Sequence, residues 1–307
     1  MLVAALAMLA SACSMVQPTP APLGSERNPV KLAFGPAADT AKVLAAGQEL
    51  TRSLERETGL RFKLLVPTSY PATLEGMTTS SVDLAWLSPL AYVQAHQTIG
   101  AEPLLAGVRD GSMTSTSQIV VRADSGIRTL EGLRGRRFAF VDQASASGYM
   151  YPKALLKGRG IDLKSFFAET SFAGTDDKVI QAVYNRELDG GATIGDSVPD
   201  GPRDPRVRQL ANLPDVLDAV RVIARTEQIP NDTLARRRGV PPEILEQVSS
   251  GLQRVAATEV GQKALHDLYG VEGLAPIVDA DFDPVRRAAE TLSLNLEQEI
   301  APTRSAR

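Results

Sequence analysis

At 307 residues and 43% hydrophobic content, the chain can bury the core of one large domain or of two lobes. Its formal net charge of −3, with scattered arginines and few aromatics, gives no basic stripe for a nucleic-acid partner. A single cysteine rules out a disulfide framework, and the two histidines, His96 and His266, have no acidic or cysteine neighbours at metal-ligand spacing.

The first segment carries the compartment signal. Met1 to Ala12 is almost wholly apolar, too short to span a bilayer as a helix, and ends in Ala10-Ser11-Ala12 before Cys13. That is the pattern of a bacterial lipoprotein signal peptide over residues 1–13, with Cys13 as the lipidated residue. A positive n-region is missing, which points to a start upstream. Residues 14–29 hold four prolines and little that could pack, the composition of a polar tether.

From Val30, apolar strand-like runs alternate with helical patterns. Strands are expected at Val30 to Phe34, Arg61 to Val66, Val82 to Leu87, Pro103 to Val108 and Gln118 to Arg122. Helices are expected at Thr40 to Thr58, closed by Gly59, at Tyr70 to Thr78, and at Pro89 to His96. A second unit follows, with strands at Arg137 to Val141, around Phe172, and at Ala192 to Ile194, and helices at Tyr149 to Arg159 and Asp177 to Asn185. The chain returns through Val220 to Ala224 into a largely helical C-terminal third. The triplet Arg236-Arg237-Arg238 reads as a solvated face.

This alternation predicts an α/β protein of two lobes in a type II periplasmic-binding-protein architecture, each lobe a mixed sheet flanked by helices. Residues 30–121 with 225–307 would form lobe 1 and residues 122–224 lobe 2. Two hinge crossings are expected near 119–124 and 221–227. In such folds a ligand lies in the cleft where strand ends and helix N-termini meet.

The most informative ten residues run from Phe140 to Tyr149: a strand end, a turn of small and hydroxyl residues, then a helix opening at Ser147-Gly148. Small residues let backbone N–H groups converge, and the positive end of the helix dipole favours an anion there. The same residues also suit a plain N-cap, and local features leave both readings open.

Four segments in order resemble the phosphate, phosphite and phosphonate-binding proteins of ABC importers, the PhnD-like family. They are Val82 to Pro89, Asp142 to Tyr149, Phe172 to Val183 and Ile229 to Asp232. The resemblance runs from about Lys31 to the C-terminal helices. It implies an oxyanion held by Ser145, the Ala146 backbone N–H and Ser147, with Tyr70 donating from the other lobe. It further implies ligand-facing carboxylates at Asp196 and Asp232. Without the resemblance, Tyr70 would be a core aromatic at a helix start, and the two aspartates ordinary turn residues.

Two positions depart from the family. Asp176 stands where a histidine is usual, and Ser115 where an aromatic lines the cleft. A carboxylate about 5 Å from the bound charge costs roughly 3 kcal/mol at an effective dielectric near 20. If Asp176, Asp196 and Asp232 all faced the cleft ionised, a zwitterion such as an aminophosphonate would suit it better than a bare dianion. The alternative is that Asp176 caps the helix from Asp177 and never meets ligand.

The chain has no Gly-x-Ser-x-Gly elbow, and Gly132 to Gly135 lacks the end of a phosphate-binding P-loop. Clustered aspartates could serve acid–base chemistry, yet no partner residues accompany them. The expectation is therefore a non-enzymatic, lipid-anchored extracytoplasmic solute-binding protein, without cofactor, metal or nucleic acid. Its partners would be a small oxyanion and the permease and ATPase subunits of an ABC importer. The alternatives are a ligand-sensing domain, or transport of another small anion or zwitterion.

Overall fold

The computed structural model describes residues 21–35, 40–142, 145–196, 198–201 and 204–294. Cys13 and its apolar leader lie outside the described residues. From Ala21 onward the chain is already folded onto the first lobe. Leu23 packs against the core, the Arg61 N–H donates to the Gly24 carbonyl at 2.7 Å, and the Asn28 amide donates to the Ala21 carbonyl at 2.9 Å. The tether expected over residues 14–29 is thus packed from residue 21, because Leu23 supplies an apolar anchor.

The first half runs β1 (Val30–Ala33), α1 (Thr40–Thr58), β2 (Phe62–Leu65), α2 (Tyr70–Thr78), β3 (Leu84–Leu87), α3 (Pro89–Ile99) and β4 (Glu102–Val108). The second unit runs β5 (Thr114–Arg122), β6 (Arg137–Phe140), α4 (Tyr151–Gly158), α5 (Leu163–Phe166), β7 (Glu169–Phe172), α6 (Asp176–Tyr184) and β8 (Gly190–Gly195). It continues through α7 (Pro205–Arg208), α8 (Val216–Ala219), β9 (Val220–Arg225) and β10 (Ile229–Pro230). The chain then returns to the first lobe as β11 (Thr233–Arg236), α9 (Pro242–Ala256), α10 (Glu259–Tyr269), β12 (Gly273–Pro276) and α11 (Asp283–Leu292).

The strands form two sheets, one per lobe. The first has the order β12-β4-β11-β3-β1-β2, with β1 parallel to β2 and β3 and with β11 antiparallel to β3 and β4. The second has the order β10-β5-β8-β6-β7, with β9 also on β5; β6 is parallel to β7 and β8. All four residues of β3 are buried, as expected of a central strand covered on both faces. Leu50 and Leu54 on α1 meet Val248 and Leu252 on α9 in the first core, each contributing roughly 2 kcal/mol by burial. Gly251 lets these helices close: a Cβ there would sit 2.4 Å from Thr58.

The lobes change over at two places. β4 ends at Val108 in the first sheet and β5 starts at Thr114 in the second, so the first crossing is 109–113. β10 belongs to the second sheet and β11 to the first, so the second crossing is Asn231-Asp232. Both lie on the first-lobe side of, or beyond, the expected positions near 119–124 and 221–227. The reason is that β5 continues through Thr114 to Ser117, polar residues that nevertheless pair with β10 and β8.

Asn231 ties the crossings together. Its backbone N–H donates to the Met113 carbonyl at 2.8 Å, and its amide donates to the carbonyls of Gly107 (2.8 Å) and Ser112 (3.0 Å). Across the lobes, Tyr151 and Ala154 on α4 share an apolar cluster with Val285 and Ala288 on α11. The triplet expected as a solvated face is partly engaged. Arg237 pairs at 2.6 Å with Asp83, which is fully buried, and Arg236 pairs with Glu102.

Replacing Asn231 with alanine strands two carbonyls at the junction and should cost about 3 kcal/mol in urea unfolding; a loss under about 0.5 kcal/mol would contradict this role.

Candidate functional site

In the first sheet the parallel strands β1, β2 and β3 end on one edge, and the helices that follow start there. The antiparallel strands β11 and β12 begin on that same edge. Consequently Gly35, Tyr70, Ser88, Asp232 and Tyr269 meet. They line a cavity of about 170 Å³ together with Trp86. Ser69 and Ser88 accept from the Ala72 and Ala91 N–H groups, fixing the starts of α2 and α3.

Tyr70 hydrogen-bonds to Ser88, and the Tyr269 hydroxyl accepts from the Gly35 N–H at 3.2 Å. Burial, and then the nearby Asp232 charge, raises the Tyr70 pKa. Burial raises that of Tyr269 well above its usual range, against the hydrogen bond from Gly35. Both phenols therefore keep their protons at neutral pH and can donate to a ligand oxygen. Asp232 is half-buried, and burial raises its pKa against the pull of Arg109, whose guanidinium stands 3.2 Å away. Arg109 also donates to the Tyr269 carbonyl at 2.8 Å, which fixes its fork between the end of α10 and Asp232.

In the second sheet, β6, β7 and β8 likewise end on one edge, where the starts of β5 and α6 also lie. After β6 the chain enters a π-helical turn, Ala146–Met150, leading into α4. Ser145 caps this turn, its Oγ accepting from the Gly148 N–H at 2.9 Å. Gly148 is required by close approach, since a Cβ there would meet Val141 at 2.4 Å. Hence Ser145 is a cap, and its hydroxyl still has a proton to donate. The N–H groups of Ala146 and Ser147, first in the turn, have no acceptor within it. Ala146 is exposed and Ser147 half-exposed, so both face solvent.

The remaining acidic positions are engaged by the backbone. Thr175, not Asp176, caps α6 by accepting from the Lys178 N–H. Asp176 is the first helical residue, and its Oδ1 accepts from the Ile194 N–H at 2.7 Å. Burial raises its pKa despite that bond. Asp196 is buried, with Oδ1 3.4 Å from the Val198 N–H, and Asp200 a few residues on pairs with Arg206, which is buried against Asp204. Ser115 is buried in β5 opposite Ile229.

Tyr70 and Asp232 thus share one cavity on the first lobe. Ser145, Ala146, Ser147, Asp176 and Asp196 share the corresponding edge of the second lobe, where the crossings leave it. Arg109, Trp86, Ser88 and Tyr269 were not picked out as site residues by the sequence. Trp86 and Ser88 lie within a segment that carries the resemblance. Arg109 and Tyr269 come from distant segments and carry no local signal.

Comparison with known proteins places the chain in a family and a fold. The family described as "ABC transporter, phosphonate, periplasmic substrate-binding protein" matches residues 32–282. The chain belongs to that family of transporter binding proteins, which work with a permease and an ATPase and are not enzymes. It is 29% identical over 312 residues to the phosphate-import protein PhnD of Mycolicibacterium smegmatis, covering 94% of this chain and 93% of that one. It is 22% identical over 243 residues to the phosphonates-binding periplasmic protein of Escherichia coli, covering 78% and 69%. In fold it is similar to PhnD1 of Prochlorococcus marinus in complex with methylphosphonate, with a TM-score of 0.56, 18% identity, and coverage of 86% and 98%. The two-lobe periplasmic-binding-protein fold is therefore that of this chain. No helix among the described residues is long and apolar enough to cross a membrane.

The raised Asp232 pKa has a definite sign. Between the usual carboxylate range and the raised value, the native protein binds more protons than the unfolded chain, so stability falls as pH rises. Relative to Asp232→Asn, the wild type should lose melting temperature as pH climbs from about 4 through that value, then level off. A gap that instead widens against the wild type as pH falls would refute the assignment.

Proposed function

We propose that this chain is the lipid-anchored solute receptor of an ABC importer and that it binds a phosphonate-, phosphite- or phosphate-type oxyanion between its lobes. The observation that carries this reading is the pairing of two edges. One offers the Ala146 and Ser147 N–H groups and the serine hydroxyls; the other offers the phenol of Tyr70 beside Asp232. Oxyanions are held by such convergent amides and hydroxyls at a helix start. Family membership, together with the phosphate-import and phosphonate-binding roles named for the relatives, supports the same chemistry. Cys13 would carry the lipid, which metabolic labelling with palmitate tests: Cys13→Ser should abolish incorporation.

Charge guides the choice of ligand. Asp176 and Asp196 each accept from a backbone N–H, and Asp232 is balanced by Arg109. These bonds lessen the repulsion that three free carboxylates would exert, so a simple phosphonate or phosphate suits the site. An aminophosphonate is the second reading, favoured by Asp232 in a cavity walled by Tyr70, Trp86 and Tyr269, where an ammonium would find a carboxylate and π faces.

Thermal-shift titration with phosphate, phosphite, methylphosphonate and 2-aminoethylphosphonate tests both. A true ligand at 100 times its Kd should add about 2.7 kcal/mol of stability. Replacing Ser145 and Ser147 together by alanine should remove the ligand-induced increment, while Tyr70→Phe should weaken it about tenfold. Since Ser145 caps the turn, the increment and not the bare melting temperature is the readout. An undiminished increment in the double variant would overturn the serine cradle.

A further inference from the structure

A second cavity, of about 540 Å³, opens on the flank of the second lobe between α4 and β7. Its floor is aromatic. The Tyr149 ring meets Phe140 at 5.0 Å and Phe172 at 5.4 Å, both edge-on, and Phe172 is 45% exposed at the end of the outermost strand. Its rim is cationic. Lys153, Lys157 and Lys164 line it, three of the eight lysines in the chain. Among the described residues, none of these three forms a salt bridge, whereas Lys31 and Lys263 and most arginines do. The Lys153 ammonium lies 5.1 Å from the centre of the Tyr149 ring, at the join of floor and rim. The one acidic lining residue, Asp162, accepts from the Ser165 hydroxyl at 2.8 Å, and that bond, with the charge of the neighbouring Lys164, lowers its pKa, so Lys153 and Lys157 are the rim cations farther from any carboxylate partner.

We infer that this cavity is a second ligand site, taking a small organic anion with a planar apolar body. Its volume falls in the range of small-molecule sites. The Tyr149 and Phe172 rings gain from covering by a flat ring, and ammoniums held in no salt bridge complement a carboxylate, sulfonate or phosphate on it. Neither feature suits an inorganic oxyanion, which has no surface to stack, nor a neutral hydrocarbon, which leaves the lysines unmatched. The inference stands whether or not the interlobe cleft takes a phosphorus oxyanion.

The probe is 8-anilinonaphthalene-1-sulfonate, with uncharged N-phenyl-1-naphthylamine as its neutral counterpart, followed by fluorescence on the full chain. One saturable site per chain is expected, with Kd about tenfold weaker for the neutral compound. The triple variant Lys153→Gln, Lys157→Gln, Lys164→Gln should weaken sulfonate binding by a further factor of about ten or more. Phe172→Ser, at an exposed position, should weaken both probes alike and provides an arm that leaves the charges in place. Saturating methylphosphonate should leave the signal unchanged. Non-saturable binding, equal affinity in the lysine variant, or displacement by methylphosphonate would each overturn the inference; the last would place the dye in the cleft.

Discussion

The buried amide of Asn231 sets the geometry on which the rest depends. By donating to Gly107 and Ser112 while its own N–H reaches Met113, it holds the outgoing and returning strands side by side at the junction of the lobes. Each sheet presents the C-terminal ends of its parallel strands at that junction. Two edges rich in helix starts and free N–H groups are thereby set on either side of a joint of few residues. Hinge motion needs little more than rotation about such a joint. The apolar contact of α4 with α11 adds a second packed link between the lobes.

Electrostatics of the two edges differ in kind. The second-lobe edge has N–H donors at the start of a π-helical turn, and its carboxylates are tied to the backbone at Ile194 and Val198. The first-lobe edge has two protonated phenols and an Asp232–Arg109 pair inside an aromatic wall. Donors on one side and a donor–acceptor pair on the other suit an oxyanion that still carries a proton or an organic substituent. The carboxylate of Asp232 can only accept, so it rewards a ligand with something to donate.

Much of the fold was legible because local signals were strong. α1 and α2 were expected with their observed bounds, one ended by Gly59 and the other opened by Ser69 before Tyr70-Pro71. The crossings were displaced because Thr114 to Gln118 form a strand whose side chains are polar yet largely buried, so neither apolar alternation nor a hydrophobic run marks it. Asp176 reads locally as a cap, but Thr175 has the extended backbone a cap requires, and the carboxylate turns to β8 instead. Ser145 shows that the two readings of its loop are compatible: it caps the turn through one lone pair and keeps a proton for a ligand. Arg109 and Tyr269, 160 residues apart, could not be paired from sequence, because only the sheet order brings them together.

The central claim is that a small oxyanion is gripped between these two edges. A crystal structure grown with methylphosphonate tests it directly. The account predicts phosphonate oxygens within about 3 Å of the Ala146 and Ser147 nitrogens and of the Tyr70 hydroxyl, with both lobes in contact with one anion. An anion bound to one lobe alone, or held away from the 145–147 turn, would contradict it.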